Sequence, residues 1–251
     1  MFAGLVVAGF LIAFFMSWLG AGGGAFYIPV LTMVFGLSMH DSVAVSLAAV
    51  ALTSLVSSFS YYVQGNIKVA LGIKLGVIGL VGAIISGMLS HYVDGVIIEK
   101  SFAIVILGLA TYVTLLKLLK VNSLASVGLN SRHDGLLLFV SGSVAGAMSG
   151  FLGASGTPPI IGYLYQKELP GIEVAGTSML AVFFISIGGV FGHLLRGGVP
   201  LSALSWLSLG AFLGAFLGPI VVAKVNRKAS EKWYRVSYIA AMYVAGLIML
   251  L

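Results

Sequence analysis

Trp18-Leu-Gly-Ala-Gly-Gly-Gly-Ala25, followed four residues later by Pro29, is the stretch on which the reading of this chain turns. Four glycines fall in the five positions 20–24 of an otherwise apolar run. A glycine triplet disfavours a helix and leaves backbone N–H and C=O groups unpaired. In hydrocarbon such a break is tolerated only where it is buried in protein or lines a wet cavity. The device recurs as Phe151-Leu-Gly-Ala-Ser-Gly-Thr-Pro-Pro159. The rest of the chain reads as two copies of a scaffold holding these breaks against each other.

The surroundings are those of a membrane protein. Of 251 residues, 60% are hydrophobic and 8% charged, with a mean hydropathy of +1.14. Soluble domains carry about 25% charged residues. The apolar runs are continuous, without the alternation of a membrane barrel, so the expected class is all-α. No polar stretch is long enough to fold alone. The net charge of +6 lies in short loops and reads as membrane topology, with no nucleic-acid partner. With no cysteine, disulfide and thiolate chemistry are excluded, and no cofactor is expected. The first apolar run, with no basic segment before it, is expected to be a retained helix.

Apolar segments fall at 2–19, 25–38, 42–63, 69–92 and 99–118, and again at 135–152, 157–166, 173–195, 201–223 and 231–251. The second of each set is short for a span of about 20 residues. At an offset of 132, Ser46 matches Ser178, Ser54 matches Ser186, Gly65 matches Gly197 and Glu99-Lys100 matches Glu231-Lys232. Around the break the offset is 133, and Leu19-Gly20-Ala21 aligns with Leu152-Gly153-Ala154. Residues 1–120 and 135–251 are therefore expected to be repeats, joined by a polar linker over 121–134.

Loop cations give the orientation. If each short segment folds back in a hairpin, 11 of the 13 Lys and Arg residues fall on one side, leaving Lys100 and Arg196 on the other. A parallel arrangement of the halves destroys this bias. The expectation is two inverted-topology repeats, each a broken-helix hairpin plus three long transmembrane helices. The linker is then cytoplasmic and both termini lie outside the cell membrane. Broken helices in inverted repeats are the architecture of secondary transporters. Helices that start after a break turn free N–H groups and a positive dipole end towards the cavity, which suits an anion. Pro158-Pro159 fits such a start.

Gly20-Ala-Gly-Gly-Gly24 with Pro29, Ala44-Val-Ser-Leu47, Tyr62-Val-Gln-Gly-Asn66, Gly153-Ala-Ser-Gly-Thr-Pro-Pro159 and Ala175-Gly-Thr-Ser178 together resemble the sulfite exporter TauE/SafE family over essentially the whole chain. The first-half counterpart of Ala-Gly-Thr-Ser departs from the pattern at Val45. The resemblance implies a multi-pass permease moving sulfite, organosulfonates and related sulfur-containing anions, mostly outward.

The expected site lies between Gly22, Gly23 and Gly24 on one side and Ser155, Gly156 and Thr157 on the other, with hydroxyls of Ser46, Thr177 and Ser178 completing the shell. Valine at Gly23 or Gly156 is expected to abolish binding in a folded protein. Ser54 and Ser186, two turns beyond Ser46 and Ser178, are secondary candidates; a back-bond to the i−4 carbonyl is their plain structural reading. His193 is expected near the outer interface and is the residue best suited to titrate near neutrality; an interfacial histidine is its plain reading and a proton-coupling role the alternative. Arg196 is the cation of its outer loop, a helix anchor or an attractor of anions. Asp41 reads as an N-cap. Glycines at 82, 210, 214 and 218 read as packing ridges.

No Asp or Glu lies mid-span, which argues against a carboxylate proton relay. No protease constellation is present, so an enzyme is not expected. An anion channel is the alternative, separable by counterflow, and a non-transporting scaffold is a third reading. The expected partners are a small anion and the bilayer, and a homodimer is compatible with the sequence.

Overall fold

A computed structural model describes residues 2–118, 134–195, 197–224 and 239–250, the last without 241, 245 and 248. Those described are helices and short connections, with no strand among them. Helix α1 (Phe2–Leu19) ends at the first break. Helix α2 (Gly24–Pro29) follows and widens into a π-helical turn, Val30–Val34. Three long helices complete the first half: α3 (Met39–Val63), α4 (Val69–Ser90) and α5 (Gly95–Leu118). In the second half, α6 (Asp134–Leu152) ends at the second break, and α7 (Thr157–Gln166), α8 (Gly171–Leu194) and α9 (Leu201–Lys224) follow. Five helices (α3, α4, α6, α8 and most of α9) are long and apolar enough to cross a membrane. The segment expected at 231–251 is described only in part, and there it is helical. The 121–134 linker lies outside the described residues apart from Asp134.

The chain is an all-α integral membrane protein, and its layering follows from burial. In α3 and α8, 67% of the spanning window is buried, against 28% in α4, 33% in α6 and 39% in α9. α3 and α8 therefore form the centre, and the others present Val, Ile, Leu and Phe side chains outward. α1 packs along α9, and α6 along α4. Each half thus lends its first helix to the other, and neither is a separate body. Small residues allow the close approach. A methyl group added at Gly146 would lie 2.1 Å from Gly79 O, and one at Gly210 would lie 1.9 Å from Val6 O. The predicted ridge at 210, 214 and 218 is this α1–α9 seam.

Both short segments fold back. Tyr163 Oη donates to Asp134 Oδ1 at 3.0 Å and Lys167 pairs with the same carboxylate, so α7 ends beside the start of α6. Gly4 faces the Phe35 ring, so the π turn ends beside the start of α1. At 11 and 10 residues, these segments reach about 15 Å, half the hydrocarbon thickness of about 30 Å.

Two local expectations are corrected. Segment 25–38 is not one helix: Thr32 Oγ1 donates to Ile28 O at 2.9 Å and inserts into the ladder, and Gly36, at φ +68°, ends the turn. The cap of α3 is Ser38, not Asp41. Ser38 Oγ accepts from Asp41 N at 3.2 Å and donates to the Asp41 carboxylate at 2.7 Å, so Asp41 sits at N3 and holds the capping hydroxyl.

Candidate functional site

The helix is interrupted at both glycine stretches. Gly20, Gly22 and Gly23 have φ of +71°, +69° and +92°; Gly153, Ser155 and Gly156 have +69°, +60° and +59°. Gly23 and Gly156, the N-caps of α2 and α7, are both left-handed. Ser155 does without glycine because its hydroxyl is held on both sides: it donates to Ala21 O at 2.9 Å and lies 2.7 Å from Thr157 Oγ1. Such strain persists only where the surroundings over-determine it.

The two breaks touch. A methyl group added at Gly24 would meet Gly153 O at 2.3 Å and Ser155 N at 2.9 Å, and one at Gly22 would meet Ser155 Cβ at 3.0 Å. Around them the contacts are reciprocal. Ser178 of α8 donates to Gly20 O of the first break at 2.8 Å, and Ser46 of α3 donates to Gly153 O of the second at 3.3 Å. Gly20 abuts Ala175 and Gly153 abuts Val43, again equivalent positions.

Ser46, Ser155, Thr157 and Ser178 thus gather at the breaks, and their hydroxyls are committed to protein carbonyls. Thr157 Oγ1 also donates to Ala21 O, at 2.9 Å. Two protons therefore serve three short contacts among Ser155, Thr157 and Ala21. Thr177 Oγ1 accepts from Lys68 N at 2.9 Å and secures the α3–α4 connection instead of facing the breaks. Ser54 back-bonds to Val50 O at 2.6 Å, its plain structural reading. Ser186 Oγ is buried with no described partner. Arg196 lies outside the described residues. His193, in the last turn of α8, is 2% exposed, with Nε2 3.0 Å from Gly150 O, one turn before the second break.

Sequence reasoning missed two groups. Ala21 O, the shared acceptor, carries no side-chain signal. Tyr61, the repeat equivalent of His193, donates to Ser17 O at 3.0 Å, one turn before the first break. The offset of 132 contained that pairing. The valine test also needs correction. A Cβ at Gly156 would lie 2.1 Å from Ala145 O, so valine there disrupts packing as well as the site.

Between the breaks lies a cavity of about 10 Å³, lined by Met16, Ala21, Ala154, Ser155, Thr157 and Met242 among others. That is room for about one water molecule. Helix geometry leaves Gly24 N–H and Ala25 N–H without an intrahelical acceptor at the start of α2. At α7 the same positions hold Thr157, Pro158 and Pro159, and the prolines have no N–H to offer.

Two contacting helix breaks inside an all-helical multi-pass bundle define a membrane transporter scaffold. The chain belongs to the sulfite exporter TauE/SafE family, whose profile matches residues 5–249. It is similar to the "Probable membrane transporter protein YdhB" of Bacillus subtilis, 27% identical over 98% of this chain and 99% of that one. A second relative, from Methanocaldococcus jannaschii, is 28% identical over 98% of this chain and 94% of its own. A third, from Haemophilus influenzae, is 26% identical over 90% and 86%. Both also carry the name probable membrane transporter protein. No solved structure matches the chain. It is thus a membrane transporter of the TauE/SafE type.

Proposed function

We propose that the protein moves a small sulfur-containing oxyanion, sulfite or an organosulfonate, by alternating access around the paired breaks, with the two halves as inverted repeats. The observation that carries this reading is the reciprocal latch: Ser178 on Gly20 O, Ser46 on Gly153 O. A two-fold relation between the halves generates such a pair of contacts from one rule. The folded-back hairpins agree with it, since α1 and the π turn meet at one end of the bundle and α6 and α7 at the other.

The anion is held by backbone and hydroxyl groups. Gly24 N–H, Ala25 N–H and Thr157 N–H supply donors at helix starts. Ala21 O accepts from Ser155, Thr157 and, at 2.8 Å, Gly23 N, so a hydroxyl turns to the anion without leaving that carbonyl unpaired. The cavity is water-sized, so this conformation is the closed one, and the breaks separate when an anion binds. A negative-inside potential drives an anion outward by about 2.3 kcal/mol per charge per 100 mV.

Uptake and counterflow in proteoliposomes, screened over sulfite, sulfate, sulfoacetate, taurine and chloride, test the reading. Saturable uptake with counterflow for a sulfonate or sulfite is expected. Linear, non-exchanging flux across the panel would replace the transporter by a channel.

A further inference from the structure

Three of the four histidines gather at one end of the bundle. His193, at the end of α8, meets the His91 ring after α4 edge to face, with centroids 5.1 Å apart. His91 stacks on His40 in the first turn of α3 at 5.7 Å. The chain of rings leads from the half-buried His40 to the buried His193, whose Nε2 holds the Gly150 carbonyl. A carbonyl only accepts, so Nε2 carries the proton and the neutral ring has a bare Nδ1. That Nδ1 is buried and has no described partner. In the other half Tyr61 makes the same kind of contact to Ser17 O, at the equivalent position.

We propose that His193 is a proton-binding site that unlatches the His40–His91–His193 end of the bundle; the proposal rests on the reading of the paired breaks as a gated transport site. A second proton on His193 places an N–H and a charge where nothing accepts them. The ring relieves this by leaving its socket, which releases Gly150 O and the end of α6 above the second break. The Tyr61 latch carries a hydroxyl that stays protonated at physiological pH, so that end is insensitive to pH. One end then opens on protonation and the other does not, which couples proton uptake to one step of a transport cycle. His91 faces His193 from α4, with His40 behind it from α3. α6 presents no titratable group there. Asp41 and Asp94, at the same end, are engaged with Ser38 and the Val96 N–H.

The chain has no cysteine, so a single introduced thiol reports opening directly. Ser149, fully buried beside Gly150, becomes S149C in otherwise intact protein held in lipid nanodiscs, where both faces are open to a maleimide. Labelling rates are divided by those of a free thiol at the same pH. The corrected S149C rate is expected to rise about tenfold between about pH 8 and about pH 5.5. His193→Tyr, which copies the other latch, is expected to abolish the rise. S57C, beside the Tyr61 latch, is expected to show no rise. A flat corrected rate in S149C with His193 intact overturns the proposal without any variant at 193. An equal rise in the His193→Tyr background overturns it as well. No substrate enters the assay, so its failure is distinct from failure of the anion screen.

Discussion

Gly24→Ala separates contact between the breaks from their backbone conformation. Gly24 is the first helical residue of α2, where alanine is the better helix former by about 0.5–1 kcal/mol. Unlike Gly23, it has no left-handed φ. Its added methyl group would sit 2.3 Å from Gly153 O, where ordinary contact begins at 3.4 Å, so the breaks must separate by about 1.1 Å. The obstacle is backbone, not the end of a flexible side chain. Overpacking of this kind costs about 1–3 kcal/mol. Offset by the helix gain, the net loss is about 0–2.5 kcal/mol; at about 2–4 °C per kcal/mol, the melting temperature falls by up to about 10 °C. Gly108→Ala is the control, since it is helical and meets nothing within 4 Å. It should hold or raise the melting temperature. Thermal unfolding in detergent and anion uptake in proteoliposomes are measured for both. Uptake should be lost or strongly reduced in Gly24→Ala alone, because the shift falls on the donors of the site. If Gly24→Ala melts at or above wild type and transports normally, the breaks do not meet as described and the site has no basis.

Other perturbations reach separate parts of the argument. Ser178→Ala leaves the buried Gly20 carbonyl without its 2.8 Å donor and should cost about 1–3 kcal/mol in denaturant unfolding, more than Ser46→Ala, whose bond is 3.3 Å long. Gly210→Ala should destabilise strongly by prising α1 from α9, whereas Gly162→Ala, in open space on α7, should not; melting temperatures of the two variants decide it. Thr157→Ala should leave the fold intact, because Ser155 Oγ and Gly23 N–H still donate to Ala21 O, whereas Ser155→Ala strips the hydroxyl that holds a left-handed φ of +60° and should cost more in denaturant unfolding.

Much of this was legible in the sequence, for identifiable reasons. Length and apolarity fix the helices, since hydrocarbon leaves a backbone few other options. The breaks were legible at Gly22–Gly24 because a glycine triplet serves no helix. Ser46 and Ser178 were legible as a pair because the offset makes them equivalent, although what they hold was not. Their partners are carbonyls of Gly20 and Gly153, and a carbonyl has no residue type to read. What His193 holds was not legible, because hydropathy gives depth along a helix, not which face is covered by α4 and α6. The π turn was missed because it depends on one Thr32 hydroxyl choosing Ile28 O over solvent.

The departures from symmetry carry as much meaning as the symmetry. Thr177 Oγ1 accepts from Lys68 N, a contact between α8 and the α3–α4 connection. The equivalent positions, 132 apart, are Val45 and Pro200. Valine has no side-chain acceptor and proline has no N–H, so the equivalent contact dispenses with both partners together. A lone loss would leave a buried polar group unpaired at about 1–3 kcal/mol, whereas a paired loss is close to neutral. Tyr61 and His193 diverge in the same manner: each keeps a donor on the carbonyl one turn before its break, but one donor is a phenol and the other an imidazole with a second ring nitrogen to protonate. Under the proposed inverted-repeat reading, chemically identical ends would respond alike to conditions on either side of the membrane. Direction would then be written into the positions where the repeats disagree, and the disagreements at Thr177, Lys68 and His193 fall on groups that fasten the ends of the bundle.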